Sequence, residues 1–215
     1  MKLPSLRSAD ELRALVEEVG ILPLFRNKVP GFSVEELTPD EYWFKEDTVG
    51  PWEWRQQLAA ERTIAYAKLF GGKYGFVSMA VYPHLANFRR DGYDFDARVD
   101  DGLVKDAERR LYELIDGGLR LSSALRKAFS GKGFESALTA LQMRTYVTCS
   151  GFEQRLTRNG KPYGWEVARY ETSEAVFGDA CSAAYDCDPQ ESYEILINRL
   201  LPYMDRASAE KLLAI

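Results

Sequence analysis

The order of predicted elements over Leu103–Thr172 constrains the fold of this chain more than any other feature. Apolar residues recur at helical spacing over about Val104–Asp116, Ala124–Phe129 and Phe134–Tyr146. Two strand-like segments follow, and the Asn159-Gly160 pair between them is typical of a hairpin turn. Three helices followed by a β-hairpin are the sequence outline of a winged helix-turn-helix, and we predict that fold for this stretch.

The same stretch holds the positive charge of the chain. From Arg120 to Tyr170 there are nine basic and three acidic side chains, whereas the whole chain has a formal net charge of −5. A basic module in an acidic protein indicates an anionic partner, and nucleic acid is the first candidate. The basic residues are Arg120, Arg126, Lys127, Lys132, Arg144, Arg155, Arg158, Lys161 and Arg169.

The third predicted helix and the hairpin supply the candidate contacts with nucleic acid. A recognition helix presents short polar side chains to base edges in the major groove, and cations on a wing hold phosphates without reading sequence. Two other readings stay open, since hairpins carry Lys and Arg for solubility and winged helices also bind proteins. The predicted contacts are Lys132, Ser136, Thr139, Gln142, Arg144, Arg155, Arg158 and Lys161, with Ser136, Thr139 and Gln142 facing a groove.

The rest of the chain predicts an α/β protein of the α+β type, with winged helix-turn-helix units and short antiparallel hairpins. An acidic stretch punctuated by glycine, residues 91–102, marks the predicted domain boundary. We therefore expect an N-terminal α+β domain over 1–97, whose element order also allows a winged helix. A winged-helix domain over 98–172 follows, and C-terminal helices over 173–215 pack on both.

Several chemistries find no support in the sequence. There is no apolar run long enough to span a membrane and no signal-peptide pattern, so we expect a cytoplasmic protein without a membrane partner. The three cysteines, Cys149, Cys181 and Cys187, match no zinc spacing and are expected to be reduced thiols. One histidine, His84, cannot build a multi-histidine metal site, and no phosphate-loop or dinucleotide motif appears, so neither a metal nor a cofactor is predicted.

The N-terminal half offers a candidate aromatic pocket. Two tryptophans flank Glu53, and an arginine pair precedes Asp91. Aromatic faces can stack a base and arginine can hold a phosphate, whereas the alternative is that a tryptophan anchors the core and Glu53 pairs with an arginine. Glu53 and Asp91 are the two weak candidates for water activation. The predicted pocket residues are Trp52, Trp54, Arg55, Arg89 and Arg90.

Four blocks of the sequence carry a resemblance to a known family. These blocks are residues 51–55 (PWEWR), 65–77 (AYAKLFGGKYGFV), 87–96 (NFRRDGYDFD) and 138–146 (LTALQMRTY), the last leading into 164–168 (GWEVA). The chain resembles bacterial proteins related to the AlkZ and YcaQ DNA glycosylases. The resemblance implies winged-helix units around a DNA-binding face and a relation to enzymes that excise alkylated bases.

One part of the family pattern is missing. The glycosylases position water with a Gln-x-Gln or Gln-x-Asp motif near the N-terminal end, but the corresponding residues 20–26 contain no glutamine. Gln56-Gln57 lies elsewhere and lacks the spacing, so no catalytic residue carries over and the enzymatic role stays open.

The residues therefore predict a protein that binds nucleic acid, with DNA as the expected partner, and the resemblance implies a role within or beside DNA repair. Two rivals remain: a protein-interaction module, as a homodimer or with another protein, and an enzyme acting on a base or nucleotide near Trp52–Arg55.

Overall fold

A computed structural model describes residues 3–44 and 48–214 of the chain. The predicted domains 1–97 and 173–215 each include residues outside these ranges. The protein combines helices with small antiparallel sheets, which confirms the predicted α+β class. The N-terminal elements are α1 (Ala9–Val19), β1 (Ile21–Pro23), α2 (Val34–Leu37), α3 (Glu41–Phe44), α4 (Pro51–Glu61), β2 (Ile64–Phe70), β3 (Lys73–Ser78), α5 (Tyr82–Arg90) and α6 (Phe95–Asp100).

The first sheet is antiparallel with strand order β1-β3-β2. Its strands are rich in apolar and aromatic residues and are buried along most of their length. Gly75 faces the Phe70 ring, and a Cβ built at Gly75 would lie 2.3 Å from a carbon of that ring. Glycine at this position therefore lets β3 pass the aromatic end of β2.

The second half of the chain contains the predicted three helices and hairpin. Leu121 forms an isolated bridge to Arg169, which adds a short third segment beside the hairpin. Thr145 has a φ of +63°, and it follows the end of the third helix at Met143, three residues earlier than the sequence predicts. The elements are α7 (Asp106–Asp116), α8 (Ser122–Ala128), α9 (Phe134–Met143), β4 (Val147–Glu153), β5 (Val167–Thr172), α10 (Ser173–Phe177), a 3₁₀ turn (Gly178–Cys181), α11 (Pro189–Leu200) and α12 (Arg206–Leu213).

The two halves share one hydrophobic core, because α9 and β4 both pack on β2. The hydroxyl of Thr148 donates to the Tyr66 carbonyl at 3.3 Å. The hydroxyls of Tyr74 and Tyr170, on β3 and β5, lie 2.6 Å apart. Polar contacts of this kind, made inside an apolar interface, fix the register of the two halves.

Arg89 joins three elements from within the core. Its guanidinium donates to the carbonyls of Leu69 in β2, Met143 in α9 and Leu213 in α12. The last two carbonyls end their helices, where the negative end of the helix dipole favours a cation. Burial lowers the pKa of Arg89 to about 10. The side chain is therefore a structural tie between helix ends.

Of the C-terminal helices, α11 packs on α5 and α12 packs on α11. The amide of Asn87 donates to the Cys187 carbonyl and to the Ser192 hydroxyl, and the latter also bonds Nδ1 of His84.

Cys149, Cys181 and Cys187 are free thiols. Among the described residues, no helix combines the length and apolar character needed to cross a membrane.

Candidate nucleic-acid interface

The segment between β4 and β5, residues 154–166, is called the hairpin tip here. A small loop at the end of this segment is closed by two backbone hydrogen bonds. The Thr157 N–H donates to the Lys161 carbonyl at 2.8 Å, and the Gly160 N–H donates to the Thr157 carbonyl at 2.9 Å. Gly160 has a φ of +74°, which suits a three-residue hairpin loop closed by a glycine. The predicted Asn159-Gly160 turn thus lies at the tip, with three loop residues.

A glutamine holds the two sides of the tip together. Nε2 of Gln154 lies within 3.4 Å of the carbonyls of Arg155, Tyr163 and Gly164. The Tyr163 N–H donates to the Arg155 carbonyl at 3.0 Å. These bonds order the backbone of a segment whose side chains face solvent.

The tip carries three basic and two aromatic side chains, and Glu166 is its one acidic residue. Arg155, Arg158 and Lys161 are exposed, and none of them pairs with a carboxylate of the described residues. Trp165 is 89% exposed and Tyr163 is 50% exposed. An indole left in water on a hairpin that also carries three free cations is unusual for a structural residue.

The base of the hairpin has a different electrostatic arrangement. The buried carboxylate of Glu171 lies 2.8 Å from Arg62, 2.7 Å from Arg120 and 3.6 Å from Arg169. Arg62 has a φ of +58° and comes from the end of α4, so the N-terminal half contributes one of these arginines. Arg169 also bonds Glu153, so three guanidiniums face two carboxylates and leave a net positive charge at the base of the hairpin.

Helix α9 presents only part of its predicted groove face to solvent. Gln142 is buried: its Oε1 accepts from the Lys68 N–H of β2 and its Nε2 donates to the Leu138 carbonyl. The hydroxyl of Thr139 accepts from Nζ of Lys68 at 3.3 Å. Gln142 is therefore buried by β2 of the same chain and does not face a groove, and Thr139 is half-buried beside Lys68.

The remaining predicted contacts of this helix are separated from one another. Arg144 pairs with the buried Glu108 at 3.1 Å. Lys132 and Ser136 are exposed, and the Ser136 hydroxyl donates to the Gly133 carbonyl one turn earlier. Of the candidates on and around α9, Lys132 and Ser136 are therefore the ones open to a partner.

The predicted aromatic pocket is filled by the protein's own side chains. Trp54 is buried against Tyr42, as a core anchor. The Arg55 guanidinium lies 4.6 Å from the centre of the Trp52 ring and 4.5 Å from the centre of the Phe152 ring. The cation thus occupies the place where a base would stack on Trp52.

The carboxylates nominated for water activation have local structural roles. The carboxylate of Glu53 accepts the Gly50 N–H and so caps α4, which begins with Pro51. Asp91 is exposed and caps the C-terminal end of α5 with a φ of +56°. The structure therefore gives both residues a helix-capping role.

The other members of the predicted pocket, Arg89 and Arg90, are buried on the far side of β2. Arg90 donates to the carbonyl and hydroxyl of Thr145 and pairs with Glu174 at 2.6 Å. Burial alone would lower the pKa of Arg90, but Glu174 and neighbouring tyrosines raise it well above its usual value. Neither arginine is free to hold a phosphate.

The region that lacks the family's glutamine motif is an edge strand. Residues 21–23 form β1, are buried and pair with β3. The two glutamines elsewhere have partners: Gln56 bonds Glu166, and Gln57 donates to Glu61 at 2.9 Å. Within the described residues no cluster of three or more His, Cys, Asp or Glu side chains suits a metal ion.

Sequence reasoning missed the exposed aromatic residues of the tip. The alternation of Trp165 with Val167 predicts a buried position on the return strand. The strand begins only at Val167, so Trp165 stands outside the sheet. The glycine before it and the basic loop around it are the signals that favour an exposed position.

Comparison with known proteins gives one match. A family model described as AlkZ related matches residues 6–215, nearly the whole of the chain. No curated protein and no solved structure gives a significant match.

Proposed function

The chain belongs to the AlkZ-related family, and from that membership we propose that it binds DNA through the hairpin tip, as a relative of DNA repair glycosylases. The observation that carries the proposal is the combination of Arg155, Arg158 and Lys161, free of acidic partners among the described residues, with the exposed indole of Trp165. Cations neutralise phosphates and release counterions, which supplies affinity for any DNA sequence.

Under this proposal, residues 106–172 form a winged-helix unit in which the wing makes the main contact. Helix α9 is occupied by β2, so a docking mode with α9 deep in the major groove would require the two halves to separate. A wing lying along the backbone needs no such change. Arg62, Arg120 and Arg169 at the hairpin base extend the positive surface towards the N-terminal half.

Trp165 adds a second kind of contact. Exposed aromatic rings on nucleic-acid-binding proteins stack on unpaired bases or wedge between base steps. Because Trp165 sits beside the cations that hold phosphate, an unpaired or displaced base would be presented to its face. We therefore propose a preference for duplexes with a local defect over fully paired duplexes.

The proposal concerns binding and assigns no base-excision chemistry. In the region where the resemblance expects the family's glutamines, β1 has buried apolar residues instead. Glu53, a candidate for water activation, is engaged in a helix cap. Release of an alkylated base that Glu53→Gln or Asp91→Asn abolishes would give the chain a catalytic role after all.

The test is DNA affinity across a salt series. A fluorescent duplex without terminal phosphates is titrated with the wild-type protein and with the Arg155→Ala/Arg158→Ala/Lys161→Ala variant. The variant should bind all sequences more weakly, and the slope of log affinity against log salt should fall by roughly three, about one for each lost phosphate contact.

A matched control removes the same charge at another place. Lys28→Ala/Lys73→Ala/Lys211→Ala takes three exposed lysines from the opposite end of β2 and should keep the wild-type slope. If the hairpin variant keeps its affinity and salt dependence, or if both variants lose the same amount, the proposed interface is wrong.

A further inference from the structure

A cavity of about 300 Å³ opens at the far end of the first sheet. Its walls come from the loop after β1, the turn between β2 and β3, and the end of α12. Four cationic side chains line it together with two apolar ones: Arg26, Lys28, Lys73, Lys211, Phe70 and Leu212.

The cavity carries a strong local excess of positive charge. None of the described residues that line it is acidic. Arg26 lies 3.7 Å from Glu35, outside the lining, whereas Lys28, Lys73 and Lys211 pair with no carboxylate of the described chain. Four cations facing one concave space repel one another, and a bound anion relieves that repulsion.

The walls are held in place by hydrogen bonds. The buried Arg89 bonds the Leu69 carbonyl beside one wall and the Leu213 carbonyl in another, each at 3.1 Å. Nζ of Lys73 donates to the Arg26 carbonyl at 3.0 Å. The amide of Asn27 donates to the Phe32 carbonyl at 2.9 Å and shapes the loop after β1. The cations thus project from a framework that is already formed.

From this arrangement we propose that the cavity binds an organic phosphate monoester of about mononucleotide size. The phosphate lies among the lysine ammonium groups and the Arg26 guanidinium, which favour a doubly charged anion. The organic part lies against Phe70 and Leu212. The volume is at the small end for ligand sites and excludes large cofactors.

The site is separate from the hairpin tip. Phe70 ends β2, whereas Arg62, which belongs to the hairpin base, lies just before β2 begins. The two regions are therefore at opposite ends of the strand. Binding at the cavity does not depend on the proposed DNA contact, and either proposal can fail alone.

The experiment is calorimetric titration at low salt with adenosine monophosphate, adenosine and inorganic phosphate. The nucleotide should bind about tenfold or more tightly than adenosine, since the phosphate makes the charged contacts. Lys28→Glu/Lys211→Glu should weaken nucleotide binding by about tenfold or more. Lys105→Glu/Lys127→Glu, which changes net charge equally at exposed lysines outside both proposed binding surfaces, should leave it unchanged.

A further arm distinguishes a free nucleotide from the end of a DNA strand. Tighter binding of a 5′-phosphorylated dinucleotide than of the mononucleotide assigns the cavity to strand ends, and the reverse assigns it to free nucleotides. Equal binding of adenosine and its monophosphate, or no binding of any phosphate monoester, overturns the proposal. Equal weakening by both charge reversals also overturns it, since general electrostatics would then explain the affinity.

Discussion

Helix α9 and the hairpin tip are close in the chain and both carry polar side chains, but their surroundings differ. Along α9, Thr139 and Gln142 bond Lys68 of β2. Along the tip, Arg155, Arg158 and Lys161 meet no carboxylate of the described residues, and Trp165 stands in solvent. The first region uses its polar groups to join two halves of the molecule, and the second leaves them free for a partner.

The difference shows that polarity alone does not locate an interface. A buried polar group must find a partner within the protein. Both the oxygen and the nitrogen of the Gln142 amide have such a partner. An exposed cation has water instead and loses little when a phosphate replaces that water. Whether a polar side chain is buried or exposed depends on what packs against its helix or strand. For α9 this is β2, from the other half of the chain.

The largest expected effect concerns Arg90, which holds the turn at the end of α9. Arg90→Ala removes a fully buried side chain together with its bonds to Thr145, so the free energy of unfolding should fall by about 3 kcal/mol. Urea denaturation followed by circular dichroism measures it. Arg158→Ala, at the tip, should change stability by no more than about 0.5 kcal/mol. If Arg90→Ala and Arg158→Ala reduced the free energy of unfolding equally, the tip arginine would matter for folding as much as the buried one. The contrast between the two regions would then be wrong.

The sequence predicts the order of helices and hairpin well, because helical spacing, glycine stops and the Asn159-Gly160 turn are local signals. It predicts the tip cations for the same reason. It does not predict that β2 covers α9, since Lys68 and Gln142 are far apart in the chain and nothing in the periodicity couples them. The roles of Arg89 and Arg90 are not predicted for the same reason. The carbonyl groups that they bond belong to elements that are far apart in the chain and come together only in the folded protein.

A second test addresses the covered face of α9. Gln142→Ala removes the acceptor of the Lys68 N–H inside the core, and an unsatisfied buried donor should cost about 2 kcal/mol of stability. Ser136→Ala, on the exposed side of the same helix, is the matched control and should cost well under 1 kcal/mol. The reverse order of the two costs would mean that the helix presents its other face to the core.

The hairpin tip has a complementary prediction that affects binding and not stability. Trp165→Ala should weaken binding to a duplex with one unpaired nucleotide by about tenfold, because a stacked base is lost. Trp165→Phe keeps an aromatic face and should recover most of that affinity. Fluorescence anisotropy gives the affinities, and thermal unfolding should be the same for all three proteins. Unchanged affinity in Trp165→Ala would leave the cations as the sole contact.

The smallest expected effect lies at the hairpin base, where the hydroxyls of Tyr74 and Tyr170 meet. Burial raises the pKa of Tyr74 to about 12, and burial also raises that of Tyr170 well above its usual value. A phenol whose pKa is higher in the folded state stabilises the protein fully below pH 10, and this contribution is lost as pH rises towards 12.

Tyr74→Phe removes one such group together with its hydrogen bond to Tyr170. At neutral pH the variant should be less stable by about 1 kcal/mol. The gap should narrow above pH 10 because the variant no longer has this phenol to ionise on unfolding, and urea denaturation at pH 8, 10 and 11 measures it. A gap that stays constant would mean that water reaches the Tyr74 hydroxyl, and the base of the hairpin would then be as open as its tip.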